Sequence, residues 1–162
     1  MKITFLALLL FTVGALSQSG CAKAQVRSTT DPEWKYLTKD EDDGLEWETY
    51  YDVNSIKRTT GVVTVWLKQL PVFKTEEQKQ KLIHSTIENR GLNKMDTKGY
   101  EKFAYSQMLV EIDCNGKSGR NVSIKDFDER GTLLGSDTKQ GVPFAPVRDG
   151  SLAGLLLKAV CN

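Results

Sequence analysis

Three cysteines, unevenly placed, restrict what this chain can fold into more than any other feature. Cys21 closes an N-terminal apolar stretch, whereas Cys114 and Cys161 lie in the body of the chain. That stretch begins with Lys2, is apolar from Ile3 to Leu16 and then turns small and polar, the build of a secretory signal. Its apolar run falls short of the roughly 20 residues that a bilayer crossing requires. An exported chain folds under oxidising conditions, where a remaining pair of thiols is expected to join. A Cys114–Cys161 disulfide is therefore expected, closing about 48 residues and lowering the entropy of the unfolded chain by an amount worth roughly 4 kcal/mol. A redox pair would favour C-x-x-C spacing, and a metal site would need more than two thiols and His84, the single histidine.

Two processing routes fit the leader. Ala22-Lys23-Ala24 satisfies the small-x-small rule for cleavage before Gln25, making residues 1–24 a signal peptide. Ser19-Gly20-Cys21 resembles the end of a bacterial lipobox, in which case residues 1–20 are removed, Cys21 is lipidated, and Ala22 behind it favours transport to an outer membrane. Gln18 departs from the leucine usual in that motif. The second route gives a cysteine directly after Gly20 a reason to be there; on the first it is discarded. Residues 25–32 are polar and end in Asp31-Pro32, the composition of a tether that cannot bury itself. Residues 33–162 then form one domain, too short to hold a second catalytic or nucleotide-binding domain. Lys and Arg number 22 against 21 Asp and Glu, and Lys2 and Lys23 belong to the leader. No basic surplus is left for nucleic acid, which is not expected as a partner.

The patterning beyond residue 33 alternates between strands and helices. Leu45, Trp47, Thr49 and Tyr51 alternate with Glu46, Glu48, Tyr50 and Asp52, a strand with one buried face. Val62-Val63-Thr64-Val65-Trp66-Leu67 is apolar on both faces and predicts a central strand covered on both sides. Further strands are expected near 34–38, 104–113, 120–127 and 132–136, punctuated by Gly44, Gly61, Gly116 and Gly131. A short helical turn is expected at 54–58. Thr75 and Gln78 form a capping-box pattern for a surface helix over 76–90, closed by Gly91 and presenting Leu82, Ile83, Thr86 and Ile87 on a narrow stripe. Ser151 caps a run Leu152–Val160 that is apolar nearly all round, so this second helix should be buried, with Cys161 pinning its end. The fold class expected is α+β: about six antiparallel strands, a C-terminal helix stapled onto the sheet, and one inserted surface helix.

Few residues suggest chemistry. His84 should be exposed on its helix and has no partner in the sequence that would shift its proton affinity. Asp40-Glu41-Asp42-Asp43-Gly44 fails as a calcium loop, because aligning Gly44 with the invariant glycine puts Lys39 at the first ligand position; a solvated turn is expected instead. Asp126-x-Asp128-x-Arg130-Gly131 with Asp137 comes closer, but Arg130 stands where an oxygen ligand belongs, and a hairpin turn with Gly131 at positive φ is the better account. Alternation buries Trp47 and Tyr51 and leaves Tyr50 as a surface aromatic. No catalytic, cofactor-binding or metal-ligating set is assigned, and no cofactor is expected.

The ordered elements Trp34-x-Tyr36, Tyr50-Tyr51-Asp52-x-x-Ser55-Ile56-x-Arg58, Val63-x-Val65-Trp66, Asp113-Cys114, Asp128-x-x-Gly131 and Ser151-x-x-x-Leu155-Leu156-x-x-Val160-Cys161 resemble the surface-adhesin protein E family of bacterial envelope proteins. The resemblance implies a six-stranded antiparallel sheet with a disulfide-held C-terminal helix, on an outer-membrane lipoprotein that adheres to host matrix proteins. Segment 72–102, with its extra helix, departs most from that pattern. The function expected is adhesin-like protein binding without catalysis, at the outer membrane or cell surface if Cys21 is lipidated and otherwise periplasmic or secreted. The partner would be a host matrix protein or another envelope protein. A periplasmic structural or inhibitor-type module is the main alternative, and a small-ligand carrier with a cavity beneath the C-terminal helix a further one.

Overall fold

Alternating side chains and tight turns account for most of the architecture of the computed structural model, which describes residues 31–162. The leader, Cys21 and the tether up to residue 30 lie outside the described residues. The strands are β1 (Trp34–Asp42), β2 (Leu45–Asp52), β3 (Lys57–Thr59), β4 (Val62–Val72), β5 (Phe103–Asp113), β6 (Ser118–Asp128), β7 (Leu133–Thr138) and β8 (Ala145–Pro146); the helices are α1 (Glu76–Leu92) and α2 (Leu152–Val160). All strand pairings are antiparallel, in the order β1-β2-β4-β5-β6-β7, with β3 on β4 and β8 on β6. The expected six strands are thus joined by two short ones.

Each hairpin turn has a local cause. Asp43 and Gly44 sit at φ 50° and 74°, the two-residue turn whose twist matches that of the flanking strands. Only these two residues turn; the acids Asp40 to Asp42 belong to β1, which extends well past the expected residue 38. Thr60 and Gly61 repeat the device at φ 42° and 86°. Asp113 Oδ1 accepts from the amides of Asn115 and Gly116, and Asp128 Oδ1 from those of Arg130 and Thr132. Gly131, at φ 78°, lies where the hairpin reading requires it. Between β2 and β3 the expected helical turn is one turn of 3-10 helix over Val53–Ser55, capped by Asp52, while Lys57 and Arg58 pass into β3.

Both helices lie on the same face of the sheet. Tyr51, Val63, Val65, Leu67, Met108, Val110 and Ile112 point to this inner face and meet Leu156 and Val160 of α2 in one apolar cluster. Burying each such side chain is worth about 1.5–3 kcal/mol. Beside it, the same face turns polar along the register Thr49–Gln69–Ser106–Asp126, and α1 covers this part. Asp126 accepts from Ser106 Oγ at 2.7 Å, Tyr100 Oη at 2.8 Å and Arg90 Nη1 at 3.3 Å. Arg90 thereby ties the end of α1 to the sheet.

Four expectations need correction. β4 is central but not covered on both sides: Val63, Val65 and Leu67 are buried, whereas Val62, Thr64 and Trp66 are only half-buried, because α1 and α2 share one face. Helix α1 does not stop at Gly91 but runs to Leu92, where Asn93 caps it through its own amide. Of its expected stripe only Ile83 is fully buried; Leu82, Thr86 and Ile87 are half-buried. Helix α2 buries Gly154, Leu156 and Val160 but exposes Lys158 and Ala159, so it lies on the core rather than inside it. The Cys114–Cys161 disulfide forms, with the Cα atoms 5.6 Å apart, and joins the end of β5 to the end of α2 as expected.

Candidate interaction surface

With both helices on the inner face, the outer face of a six-strand-wide sheet carries no second layer among the described residues. Its side chains fall into rows set by the strand register. The middle row crosses the whole sheet as Tyr36–Tyr50–Lys68–Gln107–Lys125–Ser136. On one side of it runs Trp66–Leu109–Ser123, with Trp34 beyond; on the other runs Tyr105–Phe127. Two lysines are thus set between rows of aromatic rings.

The rings hold the lysines in place. Lys68 Nζ is 4.2 Å from the centroid of Tyr105 and 5.9 Å from that of Trp34, and Lys125 Nζ is 4.8 Å from Trp66. Such contacts are worth about 0.5–1 kcal/mol each at exposed positions and restrict a flexible side chain without neutralising it. Among the described residues neither Lys68 nor Lys125 makes an ion pair. Partial burial lowers the proton affinity of Lys68 below that of an ordinary lysine. Tyr105 stacks on Phe127 at 5.0 Å, and Tyr36 meets Tyr50 edge-on at 5.6 Å.

Most acids on this face are already engaged, the exception being Glu41, exposed opposite Glu46 and without an ion pair among the described residues. Glu46 lies 2.6 Å from Lys39 and 2.8 Å from Lys74, contacts that hold its carboxyl at about 2, Lys39 being the larger cause. Glu111 pairs with Arg120 at 2.7 Å, and Arg120 lies over the Phe144 ring. Glu48 accepts from the Tyr50 hydroxyl at 2.8 Å, which raises the tyrosine's proton affinity. A groove of about 460 Å³ opens beside the middle row, between Trp34, Asn54, Lys57, Thr64, Trp66 and Lys125. Its wall is fixed by Ser55, whose hydroxyl donates to the Asp52 carbonyl and accepts from the Trp66 amide, filling the gap in the β4 ladder between β2 and β3. Asp52 in turn holds the start of the domain by accepting from the Glu33 amide at 2.8 Å.

The residues singled out from the sequence separate in space. His84 is exposed on α1, away from the sheet. Asp126 points inward to Tyr100 and Ser106, while Asp128 turns into its own hairpin, so the near-match to a calcium loop does not converge. Among the described residues no group of three or more histidines, cysteines or acids could hold a metal ion. Trp47 and Tyr51 face inward and Tyr50 outward, as alternation requires; Trp47 is half-buried and lines a second hollow of about 460 Å³ with Leu82 and Ser85 of α1. What sequence reading missed is the clustering of Trp34, Trp66, Lys68, Tyr105, Lys125 and Phe127. These positions share a strand parity, but only the register brings them together.

The residues that carried the resemblance also acquire roles: Asp52, Asp113, Asp128 and Ser151 are cap and turn acceptors, Ser55 accepts from the Trp66 amide in the β4 ladder gap, and Arg58 donates to the Val160 carbonyl at the end of α2. The family profile described as surface-adhesin protein E matches residues 34–162. The chain belongs to the surface-adhesin protein E family. The match takes in segment 72–102, so α1 lies within the surface-adhesin protein E domain despite its departure from the expected pattern. Comparison with curated proteins and with solved structures gives no match.

Proposed function

We propose that this surface-adhesin protein E family member is an exported envelope protein that works by protein contact without catalysis, and that the open sheet face is its contact surface. The observation that carries this reading is the row of lysines that, among the described residues, have no ion pair and no covering layer, set among six aromatic rings. Aromatic side chains that are rigid and partly exposed are the usual anchors of protein interfaces. In this reading the leader is removed before Cys21, the cysteine carries a lipid, and the segment up to Pro32 holds the domain away from the membrane. A small-ligand carrier is disfavoured, because Leu156 and Val160 fill the space beneath α2 with no residual exposure.

A photo-crosslinking residue in place of Tyr50 in intact cells is expected to give discrete protein adducts, and one in place of exposed His84 is expected to give few. Equal labelling from both positions, or none from Tyr50, would overturn the assignment of the face. Protease added to intact cells separates a surface adhesin, which is cut, from a periplasmic module, which is spared. The mass of the mature N-terminus tests the anchor: a chain beginning at unmodified Gln25 refutes lipidation of Cys21.

A further inference from the structure

We infer that the partner docking on the open face is an acidic polypeptide segment, one that brings at least two carboxylates together with apolar or aromatic side chains. The inference rests on the open face being the contact surface and adds the chemistry of what it contacts.

Charge complementarity carries the argument. Lys68 and Lys125 lie in one register row, separated by Gln107 on β5. They are two strand spacings apart, about 10 Å between backbones. Each ammonium rests on aromatic rings and, among the described residues, has no carboxylate partner, whereas Glu46 and Glu111 on the same face are neutralised by their own cations. Lys57, also without an ion pair among the described residues, lines the groove beside them. Lys68, Lys125 and Lys57 thus set positive charge at the middle of the face, whereas the acids without a cation partner among the described residues lie to one side of it, Glu41 and Glu48 on the β1–β2 edge and Asp52 held by the Glu33 and Asn54 amides. Held ammonium groups lose little side-chain entropy when a carboxylate arrives, and the surrounding rings exclude water from the pair, which strengthens it. The rings themselves offer apolar area to residues flanking the acids.

The same pattern argues against a uniform polyanion. Glu48 and Glu41, without a cation partner among the described residues, border the basic area, so a sulfated glycan or a nucleic acid strand, charged at every repeat, would meet carboxylates as well as lysines. A polypeptide places its acids at intervals and fills the rest with neutral side chains.

The full chain, purified in detergent, is to be titrated with the random copolymer poly(Glu,Tyr), with heparin and with oligo-dT, reading tryptophan fluorescence. Saturable binding of poly(Glu,Tyr) is expected, weakening about fivefold between low and moderate salt and at least tenfold in the Lys68→Gln/Lys125→Gln variant. Lys81→Gln, on exposed α1, should bind as the parent does. Unchanged circular dichroism and thermal midpoint show that the partly exposed lysines are not needed for folding. Absence of poly(Glu,Tyr) binding, binding that ignores Lys68 and Lys125, or tighter lysine-dependent binding of heparin or oligo-dT would overturn the inference. Failure here leaves the contact surface standing if the residue-50 crosslinks persist; loss of those crosslinks removes both.

Discussion

Asp126 shows how much one side chain can fix. It is buried at the junction of β6 with α1, and accepts from Tyr100, Ser106 and Arg90. Burial, and then the bond to Asp126, raise the proton affinity of the Tyr100 hydroxyl, so Tyr100 remains a donor throughout the working pH range. The network closes only because position 135 is glycine: a β-carbon there would run into the Tyr100 hydroxyl and stand 2.7 Å from Arg90 Nη2. Gly135→Ala is therefore expected to destabilise the domain by about 1–3 kcal/mol, the range for disturbing a buried hydrogen-bonded group. Urea denaturation of the variant measures the loss. Adding Tyr100→Phe should make the second change cheaper than it is alone, since the hydroxyl that clashes is gone; a strictly additive pair would refute the mechanism.

The β1–β2 hairpin and α1 illustrate how neighbouring elements depend on each other. Gln78 shows the capping box only in part: its amide nitrogen donates to Thr75 Oγ1 as expected, but its side-chain oxygen accepts from the Lys74 amide and its side-chain nitrogen donates to the Gly44 carbonyl. Helix start and hairpin turn are joined by one glutamine. Glu46 ties the same elements electrostatically through Lys39 of β1 and Lys74 before α1. Its carboxyl, held at about 2 in the folded chain, is near 4.3 when unfolded. The stabilisation it supplies is complete above the unfolded value and is lost as pH falls from there toward 2. Glu46→Gln should flatten the acid limb of the stability profile between roughly pH 4.5 and 2, checked by urea midpoints at neutral pH and at pH 3. An unchanged acid limb would show that the two lysines are held by solvent instead.

The fold is an antiparallel meander closed at its far end by a cross-link. Helix α2, the last element, meets strands that are distant in sequence, and three features hold it: the Leu156 and Val160 contacts, the Arg58 bond to the Val160 carbonyl, and the Cys114–Cys161 bridge across a sequence separation of 47 residues. Replacing both cysteines with alanine is expected to lower stability by about 4 kcal/mol, chiefly by freeing the unfolded chain. A denaturant titration of that variant against the oxidised parent measures it, and a difference below about 1 kcal/mol would mean that packing alone holds α2. The outer face takes no part in this closure. Its rings and lysines can therefore be exchanged with less cost to folding than the inner side chains, which is the usual separation between a scaffold and the surface it presents.

Local chemistry in the sequence was enough to place β2, the turns at Gly44 and Gly131, the cap of α2 and the cysteine pair, since each depends on residues close together or on the two thiols that remain once Cys21 is assigned to the leader. It was also enough to recognise the family, whose quoted residues are largely those caps and turns. It misjudged the apolar run Val62–Leu67, because apolarity on both faces reads as burial on both faces, whereas Trp66 is half-exposed beneath Lys125. Which face the helices cover depends on how chain segments return across the sheet, a long-range choice that periodicity does not encode. The row Lys68–Gln107–Lys125 depends on the register of three strands separated by a helix and a hairpin, so the surface most suited to a partner exists only once the strands have paired.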